Sequence, residues 1–152
     1  MIRATSIIHN KKNPADTPAD TVVLSYVDRY RRRIALSGEN GLEFLLDLPK
    51  VIELRDGDDL LLDDGRHIRV RAALEPLMRA TAKDVHHLIR TAWHVGNRHL
   101  ACEIHSDHLI LSYDHVIAEM LEQLGATVER IEAAFNPEGG AYGQGRTLSH
   151  AH

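Results

Sequence analysis

The sequence predicts an α+β protein in two parts: a small antiparallel β domain over residues 1–74, then a mixed domain over residues 75–135 and a flexible glycine-rich tail over 136–152. Three observations predict it. In the first half apolar residues alternate or form short β-branched runs between turn formers. After residue 82 they recur twice at helical spacing, with strand-like runs in between. Beyond Phe135, glycines at 139, 140, 143 and 145 replace any periodicity, the composition of a mobile tail.

Each element has a local reason. Residues 2–8, 21–26, 30–36 and 42–48 are apolar or alternating runs and read as strands. The Pro-Ala-Asp pairs within residues 13–20 mark a loop. Asp64-Gly65 lies between Leu60-Leu61-Leu62 and the alternating run 66–71, a hairpin signature. Residues 75–81 read as a strand, and residues 83–95 as a helix whose stripe is Val85, Leu88, Ile89, Ala92 and Val95, with Gly96 as its stop. Residues 100–104 and 109–113 flank the polar tip Ser106-Asp107 and read as a hairpin. Asp114 suits the N-cap of a second helix carrying Val116, Ile117, Met120, Leu121 and Leu124, and Gly125 suits its C-cap. Residues 127–131 close as a strand. The resulting β-α-β-β-α-β order is that of a ferredoxin-like split βαβ domain.

Composition narrows the function classes. The 152 residues are 43% apolar and 26% charged, ordinary for a protein that buries a core. No apolar run approaches the roughly 20 residues that cross a bilayer, and Arg3 with polar neighbours replaces a signal-peptide core, so the expectation is a cytoplasmic protein without a membrane partner. Cys102 is the only cysteine, which excludes an internal disulfide and a multi-cysteine zinc site. Histidine is the unusual residue, with 11 copies against 4 lysines. Residues 1–74 balance 12 Lys+Arg against 12 Asp+Glu and hold two histidines; residues 75–152 carry net charge −4 and the other nine. An acidic, imidazole-rich half attracts cations rather than phosphates. No nucleic-acid partner is expected, since Tyr113 is the single aromatic of the central hairpin where an RNA-binding sheet stacks bases.

The acidic run Asp56-Gly57-Asp58-Asp59 with Asp63-Asp64-Gly65 fails the spacing of a calcium loop and reads as turns. The histidines offer more. His94 and His99 bracket a helix end, and His99 near a two-fold axis would meet its own image across a symmetric dimer and share one ion. The same rings also suit a helix end without metal, where a cationic imidazole complements the dipole. Spacing alone leaves both readings open. His86 and His87 lie beside the apolar stripe and read as surface or structural residues, as do His105 and His108 at the hairpin tip. Trp93 reads as core or dimer contact, Cys102 as a small apolar residue, and Arg31-Arg32-Arg33 as a solvated strand edge.

His94-Val95-Gly96-Asn97-Arg98-His99, then Tyr113-Asp114-His115-Val116, then Pro137-Glu138-Gly139-Gly140-Ala141-Tyr142 closely resemble the urease accessory nickel-binding chaperone family. The resemblance extends over residues 75–152 and is weaker over the β half. It implies a non-enzymatic, homodimeric metallochaperone that delivers nickel to the urease apoprotein with accessory proteins that include a GTPase. The family's interfacial nickel ligand falls on His99, and His94 matches the first histidine of the same motif, expected to support the fold or the ligand behind the metal rather than to hold the metal itself. His115 matches a peripheral metal ligand of some members, whose second histidine is here Tyr113. His150 and His152 occupy the place of the family's histidine-bearing tail. The metal ligands so implied are His99, His115, His150 and His152, with nickel as the ion. Zinc and copper can also bind, since imidazole accepts all three. Neutral imidazole is the ligand, so binding should weaken as pH falls through about 6.5. The β domain is expected to dock a protein partner. Two alternatives are a hydrolase with zinc on His99 and His115 and with Asp114 or Glu103 as base, and a metal store. The first lacks a three-ligand signature and the second a long histidine tail.

Overall fold

The computed structural model describes residues 1–9 and 17–139. It is an α+β chain that divides into two compact units between Ala73 and Leu74. The first unit holds β1 (Arg3–Ile8), β2 (Asp20–Leu24), β3 (Tyr30–Ser37), β4 (Glu43–Glu53), β5 (Asp59–Leu62) and β6 (His67–Ala72). They form one sheet in the order β2-β6-β5-β1-β4-β3.

That sheet is mixed, which corrects the expectation of an antiparallel β domain. β1 runs parallel to β4 and β2 parallel to β6, while the other neighbours are antiparallel. Alternation tells which side chains face inward and is silent on strand direction; parallel neighbours come from distant parts of the chain, joined by long connections. Inward-facing Val22, Phe44, Leu46, Leu48, Leu60, Leu62, Ile68 and Val70 build the core. β4 also runs beyond its predicted end at residue 48, through Pro49. Its register against β3 jumps from Asp47 opposite Arg33 to Ile52 opposite Arg31, so residues 48–51 form a bulge across from Arg32, with Leu48 kept in the core and 49–51 exposed. A proline, lacking an N–H for the ladder, is tolerated at such a bulge. β3 is an edge strand with Arg31, Arg32 and Arg33 exposed, as expected of a solvated edge.

Acidic residues of this unit hold turns and a cross-strand pair. Asp58 accepts the Arg55 N–H at 2.8 Å, and Asp59 pairs with the Arg69 guanidinium. Asp20, 3% exposed, accepts backbone N–H groups from Thr21 at 2.7 Å, Asn40 at 3.0 Å and Leu42 at 3.1 Å. Burial opposes its charge, but the three donors outweigh burial and hold the carboxyl below its ordinary range. A Cβ at Gly38 would come within 2.2 Å of the Asp20 carboxylate, so only glycine fits beside it.

The second unit holds β7 (Leu74–Thr81), α1 (Val85–Asn97), β8 (Glu103–Ile104), β9 (His108–Ser112), α2 (His115–Gln123) and β10 (Thr127–Ala134). Its sheet runs β10-β7-β9-β8, with every pair antiparallel. Met78, Ala80, Leu109 and Leu111 of the sheet pack with Leu88, Val95 and Leu121 of the helices. Besides β10, which runs to Ala134 rather than to residue 131, and α1, which starts at Val85 rather than at residue 83, two details differ from the sequence reading. α1 continues through Gly96 to Asn97, and β8 starts at Glu103 rather than at residue 100. Both follow from how α1 ends, described next. Among the described residues no helix is long and apolar enough to cross a membrane.

Candidate functional site

α1 begins at Asp84, whose carboxylate caps the helix by accepting the His87 N–H at 2.8 Å. His87 is structural. Its Nδ1 accepts the Lys83 N–H at 2.9 Å, which leaves Nε2–H to donate to the Leu124 carbonyl at 2.8 Å and tie α1 to the end of α2. At the other end of α1, the His99 N–H donates to Gly96 O at 3.0 Å and the Leu100 N–H to Val95 O at 3.3 Å. These two bonds make a Schellman motif with His99 at the position that follows the cap. That position is left-handed: His99 has φ 59°, and among the described residues no other non-glycine has positive φ. Leu100 is thereby spent on closing the helix, which is why β8 starts late.

α2 ends in the same motif, with Gly125 N–H to Glu122 O at 2.9 Å and Ala126 N–H to Leu121 O at 3.0 Å. There the left-handed residue is glycine, with φ 96°. One chain thus closes two helices alike, once with the residue that pays no steric penalty and once with histidine. A side chain with a Cβ costs about 1–2 kcal/mol in that conformation. The exposed His99 imidazole is therefore held in place by a turn that glycine would serve better.

α1 also carries apolar residues outward. Leu88, Thr91 and Val95 are buried, whereas Val85, Ile89 and Trp93 are 66%, 61% and 63% exposed. At about 100° per residue, Val85, Gly96, Ile89 and Trp93 fall in one sector beside the buried one. Among the described residues, a Cβ at Gly96 would meet nothing within 4 Å. The predicted single stripe is therefore two adjoining faces, one on the core and one on the surface, and Trp93 is not a core residue. Its signal was in the sequence, as the i, i+4, i+8 spacing of residues 85, 89 and 93. His94 sits beside it, with the two rings edge to face at 5.1 Å.

His115 is the first residue of α2 and is exposed. The Arg130 guanidinium lies 3.9 Å from the centroid of the neighbouring Tyr113 ring, so the place of the missing histidine carries a cation. His150 and His152 lie outside the described residues, as does most of the predicted tail. Among the described residues no three His, Cys, Asp or Glu side chains come together as an ion site. Cys102 is part-buried; burial, then Glu138 and Glu103, push its thiol up to about 11, far from the thiolate that binds metal.

Comparison with known proteins places these features. The family profile described as the UreE urease accessory protein N-terminal domain matches residues 4–73, and that of its C-terminal domain matches residues 75–152. The urease accessory protein UreE of Bradyrhizobium sp. (strain ORS 278) is 53% identical, over 100% of this chain and 70% of its own length. That of Chelativorans sp. (strain BNC1) is 49% identical, over 100% of this chain and 94% of its own. That of Rhodobacter capsulatus is 50% identical, over 88% and 83%. With both of its units matched and full-length relatives at about half identity, the chain belongs to the UreE family of urease accessory proteins, which assist an enzyme and are not themselves catalysts.

Proposed function

We propose that this chain is a nickel-binding metallochaperone that hands nickel to apo-urease in the cytoplasm, and that His99 from each of two copies holds the ion at a homodimer interface. The observation that carries the reading is the left-handed imidazole of His99 beyond an apolar helix face. A left-handed backbone on a residue other than glycine points to a task for its side chain. Val85, Ile89 and Trp93 supply apolar area for a second copy, and Gly96 between them lets two backbones approach closely. In a symmetric contact along this face, each α1 end meets its own image. Family membership supports the urease partners, the apoprotein and accessory proteins including the GTPase. Nickel is the cargo, and imidazole ligands hold it in exchange with zinc or copper.

The remaining parts fit that reading. The strand order β10-β7-β9-β8 with helices after the first and third strands in sequence supports a ferredoxin-like second unit spanning residues 75–135. We assign the β unit, residues 1–74, to protein docking. We assign His150 and His152 as the ligands that close the shared site. His115 is a weaker candidate than His99, because the Arg130 cation over Tyr113 opposes a dication close by.

Nickel titration of the full chain, with mass measured in solution, tests the proposal. One tightly held nickel per dimer, lost in His99→Ala together with urease activation in cells, is expected. One nickel per monomer that survives His99→Ala would overturn the shared site.

A further inference from the structure

The β8–β9 hairpin carries a cluster that nickel handling at His99 leaves unused. Register pairs Glu103 with Ile110 and Ile104 with Leu109, so His105 stands opposite His108 across the tip Ser106-Asp107. The His105 N–H donates to the His108 carbonyl at 2.9 Å and closes the turn. Opposed residues put their side chains on one face of a hairpin. There the two imidazoles stack, with centroids 4.5 Å apart and planes 12° apart. Each ring also meets a carboxylate through a different nitrogen, His105 Nε2 with Glu103 Oε1 at 2.8 Å and His108 Nδ1 with Asp107 Oδ1. Glu103 is itself fixed by the Asn136 N–H, donated to Oε2 at 2.9 Å.

A carboxylate acceptor keeps the proton of a neutral imidazole on the nitrogen that faces it. The lone pair then sits on the other nitrogen, Nδ1 of His105 and Nε2 of His108. Metal-binding histidines are prepared in this way, with a carboxylate behind the ring that sets the tautomer and raises ligand basicity. We infer that His105 and His108 form a bidentate surface site for a divalent first-row cation, copper(II) most tightly, separate from His99. The rings stack rather than converge, so binding takes a rotation about their side-chain bonds. Their side chains are 44% and 22% exposed, which leaves room for it. Glu103 and Asp107 contribute the negative charge that draws a cation to the tip. Two protein ligands completed by water make an exchangeable site, and the affinity order puts copper above nickel and zinc.

The test is copper(II) titration of the full, chelator-stripped chain carrying His99→Ala, compared with the same chain carrying His105→Gln, His108→Gln or both. A chelate needs both rings. Each single substitution should therefore weaken binding of one copper per chain by at least tenfold, as much as the double does. Copper binding unchanged in the double variant, or copper held only by the tail histidines, would overturn the site. So would two independent losses that add, which mark separate monodentate histidines. A readout on the unsubstituted hairpin guards against misfolding: substoichiometric copper(II) should broaden the His105 and His108 imidazole resonances together, and broadening confined to other histidines refutes the proposal. Nickel retention in a chain carrying His99→Ala together with His105→Gln and His108→Gln bears on the shared nickel site alone, so the two readings fail separately.

Discussion

Replacing His99 by glycine should make the metal-free protein more stable while removing its nickel site. The perturbation is local: at φ 59° an L-residue with a Cβ carries about 1–2 kcal/mol of steric cost that glycine avoids. Glycine gives back roughly 0.5–1 kcal/mol through the freedom it adds to the unfolded chain. His99→Ala keeps the Cβ and loses the imidazole, so the informative comparison is between the two variants. His99→Gly should exceed His99→Ala by about 1 kcal/mol, roughly 4–8 °C in Tm for a unit of this size. Both should lose the one nickel per dimer proposed for the shared site. Thermal unfolding of the chelated proteins at one fixed concentration is the assay, because the proposed self-association and any bound metal would shift apparent stability by mass action. Gly125→Ala supplies the reverse case at the matching position of α2. It should destabilise, and by more, since its Cβ would also press to 3.3 Å from Lys83 Nζ and 3.4 Å from His87 Nε2. If His99→Gly is no more stable than His99→Ala, the turn is not strained and the argument for a retained functional histidine falls.

The Asp20 carboxyl, held below its ordinary range, favours the folded state once ionised. That contribution is present above the unfolded value of about 3.9 and is lost as pH falls through the folded one. Asp20→Asn should lower the urea midpoint at neutral pH and make its fall in acid shallower; an unchanged acid slope would show that the three N–H donors do not act on that charge. Asp114 accepts Val116 N–H at 2.8 Å and Ile117 N–H at 3.1 Å, so Asp114→Ala should cost about 1 kcal/mol and Asp114→Asn much less, read by urea unfolding. Equal losses would mean that charge, not capping, matters there.

What the sequence revealed depended on which physical signal each feature rests on. α2 was legible from end to end because Asp114 and Gly125 are capping chemistry, a matter of residue type at a fixed position. The strands of the β unit were legible as strands, since alternation is local, but the parallel pairing of β1 with β4 was not. Strand direction is decided by how distant segments meet in the core. α1 shows the limit of periodicity in another way. Its apolar positions fit one buried stripe, although a helix with two apolar sectors gives nearly the same pattern; only packing assigns Leu88 to the core and Ile89 to the surface. His99 was singled out through its signature, while its backbone conformation was hidden. Gly96 looked like the stop, and glycine is the usual residue for that role, yet the left-handed turn falls three residues later.

Those two misplacements have one physical explanation. A helix that served only the fold would put glycine at residue 99 and a better helix former at residue 96. The chain does the reverse, placing an exposed glycine inside α1, at roughly 1 kcal/mol relative to alanine, and a side chain in the strained turn. The glycine is not explained by a close contact at Gly96, where an added Cβ would meet nothing within 4 Å among the described residues. Both become favourable if a second copy packs across the Val85, Ile89 and Trp93 face, because the missing Cβ then admits close approach and the turn aims His99 toward the two-fold axis. Gly96→Ala separates these accounts. It should stabilise the isolated helix yet weaken self-association and nickel retention, as measured by sedimentation and equilibrium dialysis. A variant that is more stable, equally dimeric and equally able to hold nickel would place the interface elsewhere.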